Sequence, residues 1–217
     1  MMNFFPCNFF ILVLFATFSN SLEAQTIKDI FLPETPITYH GIDFSETRYF
    51  GEAGTVSSSE MKILTNKINL LIVSEPAKFN LLKTFSKNRI NNNLTLTIKI
   101  NEELDEDKII TYNYADCSRL TPQIIQSMVY KYNFDNPTGV GLVFIMEGMN
   151  KSIEQASIWV TFFNMFDNTV LLTQRVSGKA SGISFRNHWS NSVHNIFIKI
   201  YTREYKMWKK AYGPSKK

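Results

Sequence analysis

Three apolar runs in the last third of the chain, "GVGLVFIMEGM", "ASIWVTFFNMF" and "TVLLTQRVSGKA", constrain the fold more than any other feature. Each is rich in β-branched and aromatic residues, too short to span a bilayer as a helix, and closed by polar residues, which is strand character. The first is apolar without alternation, so both of its faces must be covered and it belongs in the middle of a sheet. The second carries large residues on both faces, Ile158, Val160 and Phe162 on one and Trp159, Phe163 and Met165 on the other. Asp167 and Asn168, between the second run and the third, mark a tight turn because both residue types tolerate left-handed backbone. The three runs together predict an antiparallel meander.

A long helix should follow the meander and pack on it. Phe185, Trp189, Val193, Ile196, Phe197 and Ile200 recur every three or four residues, and Ser184 is placed to cap the start. Upstream, "ITYHGIDFSETRYFG" predicts a strand from about Thr38 to Phe50, irregular at Gly41. A helix through "EMKILTNKINLLIVSE" is expected next, capped by Ser58 or Ser59 and ended by Pro76, which has no N–H to donate. "AKFNLLKTFSK" reads as a further short helix. Strict alternation from Leu94 to Ile100 predicts a half-buried strand, and "KIITYN" returns to β character. Thr121 followed by Pro122 is a favoured helix start. The order β-α-α-β-β-α-β-β-β-α describes an α+β (mixed α/β) fold: a single sheet ending in the meander, covered by helices, with a long C-terminal helix.

The first 24 residues read as a signal peptide. An apolar stretch from Phe9 to Phe18 precedes the polar "SNSLEAQ", and cleavage is expected after Ala24, although no basic residue precedes the apolar core. An uncleaved anchor is the competing reading. Residues 25–212 then form a single domain and 213–217 a basic tail. The expected location is outside the cytoplasm, periplasmic or extracellular in a bacterium. Past residue 24 the only cysteine is Cys117, so no intramolecular disulfide and no cysteine-rich zinc site can form. Charge is unevenly spread: residues 26–174 hold 13 Lys+Arg and 17 Asp+Glu, a net of −4, whereas 175–217 hold 10 Lys+Arg and one acid, a net of +9. Such asymmetry is a solvated tail or a surface for an acidic partner.

Motifs for catalysis or cofactors are sparse. "SGKASGISF" has glycines and Lys179 but neither the G-x-x-x-x-G-K-[ST] nor the G-x-G-x-x-G spacing, so it reads as a strain-free passage from strand to helix. His188 and His194 stand six apart, on different sides of a helix, where a zinc pair needs three or four. The weak catalytic candidates are His40, Asp43 and His188; within a regular strand His40 points away from Asp43 and Ser45. Cys117 lies near Arg119 and ahead of a helix, which lowers a thiol pKa if the cation faces it. The acidic run from Asn101 to Asp107 lacks the calcium-loop pattern. No cofactor and no metal are expected. The remaining candidate is a partner surface of Arg186, Arg203, Lys206, Trp208, Lys209 and Lys210, where cations alternate with aromatic rings as in segments that lie on anionic membranes or acidic polymers. Export argues against nucleic acid.

"GIDFSETRYFGEAG", "INLLIVSEPAKFNL", "IITYN", "GVGLVFIMEGMNKS" and "VSGKASGISFRNHW" together resemble an uncharacterised family of small exported proteins of Bacteroidota-type bacteria, and the element order is similar to that of the N-terminal domain of TolB. The resemblance implies a fold and a cell-envelope setting and brings no catalytic residue. The expected function is a non-enzymatic envelope domain that binds or assembles an unknown envelope protein or acidic surface, with peripheral membrane contact. The alternative is a hydrolase or transferase whose site gathers His40, Asp43, Arg186 and His188 from distant parts of the chain.

Overall fold

The sheet is built around the longest apolar run. A computed structural model describes residues 25–52, 56–134 and 138–215, and among these it has strands β1 (Ile37–Asp43), β2 (Arg48–Phe50), β3 (Ile90–Asn92), β4 (Ile110–Thr111), β5 (Val140–Asn150), β6 (Gln155–Asn164) and β7 (Val170–Lys179). Every residue of β5 is buried. It pairs antiparallel with β6, and β6 with β7, so the predicted meander is present. Asn168 adopts φ +57° in the second turn, the left-handed conformation the sequence allowed. On the other flank of β5, two short strands lie end to end: β1 runs parallel to its first half and β2 parallel to its last residues. β3 extends the sheet beyond β1, and β4 beyond β2, both in parallel. The single strand expected from Thr38 to Phe50 is therefore two. The chain turns at Thr47, whose N–H donates to Phe44 O and whose hydroxyl donates to Met146 O.

Helices cover both faces. On one side α1 (Ser58–Ser74) and α5 (Phe185–Lys199) pack over a large core that includes Tyr39, Ile42, Ile68, Phe144, Phe162 and Trp189. On the other side α4 (Pro122–Val129) covers a smaller core containing Val143, Ile145, Trp159 and Phe163. The predicted stripe of α5 faces inward, with Phe185 only half-buried. Gly178 lets the backbone of α5 at Ser192 approach β7 where a β-carbon would collide with it, so the small residues of "SGKASG" serve close packing. A π turn at Ile200–Glu204 joins α5 to α6 (Tyr205–Tyr212). After Ile200 the next core residue is Tyr205, five positions on, and a π turn closes that spacing while keeping Tyr205 and Trp208 on the buried side.

The expected strand from Leu94 to Ile100 is instead a helix, α3 (Thr95–Glu102). The reason lies in β1. β3 ends at Asn92, so the outer backbone of β1 beyond Tyr39 has no strand beside it, and its polar groups must find other partners. Side chains supply them. The Thr97 hydroxyl donates to His40 O. Asn69 of α1 accepts from Ile42 N at 2.6 Å and donates to Ile42 O at 2.9 Å. Asn101 accepts from Phe44 N at 2.8 Å and donates to Ile42 O at 3.0 Å. Helical spacing places Leu94, Thr97 and Asn101 on one face against β1, which a strand cannot do. Tertiary demand for buried hydrogen bonds thus overrides the local alternation.

Other local expectations hold with small shifts. The cap of α1 is Ser57, one residue before the expected pair, and the helix ends at Ser74 before Pro76. α2 (Leu81–Thr84) is the short helix, and Thr121 caps α4 with Pro122 in its first turn. The predicted signal segment and the last two residues of the basic tail lie outside the described residues. Among the described residues no helix is long and apolar enough to cross a membrane.

Candidate functional site

A bulge decides where the first candidates point. The pairing of β1 with β5 steps from Tyr39–Leu142 to Ile42–Phe144, three residues against two. The extra residue is accommodated at Gly41, with φ +93°, where a β-carbon would lie within 2.9 Å of Leu94, Thr97 and Asn69. The bulge inverts the alternation beyond it. Tyr39 and Ile42 consequently share the larger core, while His40 and Asp43 both turn toward the α4 side. This corrects the expectation that His40 faces away from Asp43. Both side chains are sealed. His40 packs against Phe134 and Phe163 with ring centroids 4.7 and 5.8 Å away, and neither ring nitrogen has a partner among the described residues. Burial holds its pKa down at about 4. Asp43 accepts from Tyr132 Oη at 2.7 Å and Ser45 N at 2.8 Å, and its pKa is raised, chiefly by burial.

His188 lies across the sheet. Its ring stands edge-on to Trp189, with Nδ1 3.1 Å from Gly182 O and Nε2 3.4 Å from Lys151 Nζ. Arg186 is on the same helix and half-buried. The sheet therefore separates His40 and Asp43 from Arg186 and His188, and the four do not share a pocket. Among the described residues no group of three or more His, Cys, Asp or Glu side chains is placed to hold a metal.

A polar cluster that the sequence reading missed sits where β5 bulges again, between Met146 and Gly148. Glu147 is fully buried, accepting from Leu120 N at 2.7 Å and pairing with the Nε of Arg175 on β7. Arg175 also donates from Nη2 to Cys117 O at 3.0 Å. The cluster borders a cavity of about 180 Å³ lined by Tyr114, Cys117, Asn150, Gln155, Ser157 and Arg175. A single carboxylate inside an apolar strand was the available signal, since a buried charge needs a partner. Cys117 is not activated here. Its pKa is raised chiefly by burial and further by Asp116 and Glu147, which outweigh the opposing pull of Arg175 and of Arg119, the latter paired with Glu46.

The C-terminal helix segregates its residues sharply. Tyr205 and Trp208 are buried, and Tyr205 Oη donates to Ile30 O at 3.0 Å. Trp208 is therefore core, and its ring does not join the cations around it. Arg203, Lys206, Met207 and Lys210, at helical positions i, i+3, i+4 and i+7, form the outward stripe, and Lys209 and Tyr212 are exposed beside it. Arg203 pairs with Glu204 at 2.9 Å; Lys206, Lys209 and Lys210 have no salt-bridge partner among the described residues. Lys83 of α2 sits 4.8 Å over the Tyr201 ring on the adjoining surface. Arg186, at the other end of the helix, is roughly 25 Å from Arg203 at 1.5 Å per residue and belongs to a different part of the surface.

No family model matches the chain, and no curated protein matches it. Among solved structures, the chain is similar to the hypothetical protein CT253 from Chlamydia trachomatis, with a TM-score of 0.38 and 8% sequence identity over 81% of this chain and 98% of that one.

Proposed function

We propose that this is an exported, non-enzymatic domain of the bacterial cell envelope that binds or helps to assemble a partner through the outward face of its C-terminal helix. The observation that carries the reading is the segregation of α6, with Tyr205 and Trp208 in the core and Lys206, Lys209 and Lys210 exposed with no salt-bridge partner among the described residues. Cations arranged in this way steer a partner and orient it. The charge excess of residues 175–217 and the signal-like first 24 residues support the same reading, as does the resemblance to small exported proteins. Crosslinking in intact cells, followed by recovery from the envelope fraction, tests it. A specific complex is expected with the wild-type chain and lost with Lys206→Glu/Lys210→Glu. Fractionation of the chain with the cytoplasm, or a complex indifferent to the charge reversal, contradicts it.

A further inference from the structure

We infer that the occupant of the α6 face is an anionic bilayer surface, an inference that rests on the reading above and names its partner. Three observations point to it. The ammonium groups of Lys206, Lys209 and Lys210, without a salt-bridge partner among the described residues, are interleaved with exposed apolar and aromatic side chains, Met207 and Tyr212 on the helix and Tyr201 just before it. Tyrosines and long lysines are the side chains that sit at a lipid–water boundary, rings at headgroup level and ammonium groups on phosphates. Second, all four residues of the last turn, from Lys209 to Tyr212, are exposed, so the helix end projects past the core and can approach a flat surface without obstruction. Third, the charge is polarised along the molecule. α5 runs from Trp189, beside Tyr49 of β2, to Phe197, beside Phe144 of β5, so α6 lies at the end of the sheet remote from β2 and β4. The exposed acidic residues Glu102, Glu103, Asp105 and Asp107 precede β4 in sequence, and Asp105 lies near Arg48 of β2. Asp29 and Glu34 stand near Lys87 and Lys209 at the α6 end, and Lys62, Lys108 and Arg48 stand among the acids at the other, so the polarity is partial and favours, without fixing, the orientation that turns α6 toward a negative surface.

The test is cosedimentation of the protein purified from cells with vesicles of phosphatidylcholine alone or mixed with phosphatidylglycerol. Wild type and variants are run side by side, so that any leader contribution is common to all. The inference predicts binding to the anionic vesicles only, weakened by 0.5 M salt. Each basic residue near such a surface contributes about fivefold in affinity, so Lys206→Gln/Lys210→Gln lowers partitioning by about 25-fold. Met207→Ser/Tyr212→Ser lowers the binding that survives salt. An unchanged thermal melt shows that each variant is folded. Equal binding to both vesicle types, or partitioning unaffected by the lysine changes, overturns the inference. If vesicles fail while an envelope protein still crosslinks in a Lys206- and Lys210-dependent manner, the lipid occupant is wrong and the binding face stands.

Discussion

Acid should loosen this fold through one side chain, His40. The imidazole is fully buried between Phe134 and Phe163 with neither nitrogen hydrogen-bonded among the described residues, and burial, opposed in part by the Asn93 backbone, holds its pKa at about 4 against 6.5 when exposed. A depressed histidine pKa means that the unfolded chain binds the extra proton more readily than the folded one. Stability is therefore undiminished above pH 6.5, falls as pH drops through the window from 6.5 to 4, and levels off below it. The full difference corresponds to about 3 kcal/mol, a large share of a domain's margin. Two other titratable groups modify the background. His194, lowered by burial and by Lys78, acts in the same direction, whereas Asp43, raised by burial, gains stability on acidification. Both are common to wild type and His40→Leu, so the difference between them isolates His40. Urea unfolding at intervals from pH 7.5 to 4 should show wild type losing about 3 kcal/mol more than His40→Leu over that range. Parallel pH profiles would refute the reasoning and mean that His40 has a partner or water that keeps its charged form solvated.

Three further expectations follow from the core. Asn101→Ala removes two buried hydrogen bonds to β1 and strands the Phe44 N–H, and should cost about 2 kcal/mol in denaturant unfolding, with α3 the first segment to lose hydrogen-exchange protection. Tyr39→Phe deletes a buried hydroxyl that has no partner among the described residues and should raise stability by about 1 kcal/mol; a lower melting temperature would contradict that. Arg175→Ala leaves the Glu147 carboxylate buried and unneutralised and should destabilise by about 3 kcal/mol, and adding Glu147→Gln should recover most of the loss.

How far the sequence discloses this molecule depends on whether the deciding interaction is local. The meander, the caps at Thr121 and Ser184, the stop at Pro76 and the long C-terminal helix are legible because each rests on neighbouring residues and on a period of two or 3.6. α3 is not legible. Its alternation of Leu and Ile with Thr and Lys favours a strand, and only the unpartnered flank of β1, more than 50 residues earlier, calls for Thr97 and Asn101 on one helical face. The same holds for the sites. Gly41 signalled an irregularity, but that the bulge would turn His40 toward the face of Asp43 depended on register with β5. Glu147 was visible as a charge in an apolar run, yet its partner Arg175 is supplied by a strand two turns further on. Conversely, the basic C-terminus was plain in the sequence, and what the helix register adds is that Trp208 belongs to the core while the lysines face outward.

The central claim is that the face bearing Lys206 is occupied in the envelope, and thiol accessibility measures this whether the occupant is lipid or protein. Lys206→Cys and, on the opposite side of the sheet, Ile124→Cys are each placed on an exposed helix surface, and the native Cys117 is buried. Envelope fractions are treated with a maleimide before and after a 0.5 M salt wash. The account predicts that position 206 is protected until the wash and then labels, while position 124 labels throughout. Equal labelling of the two positions in unwashed envelopes would contradict it.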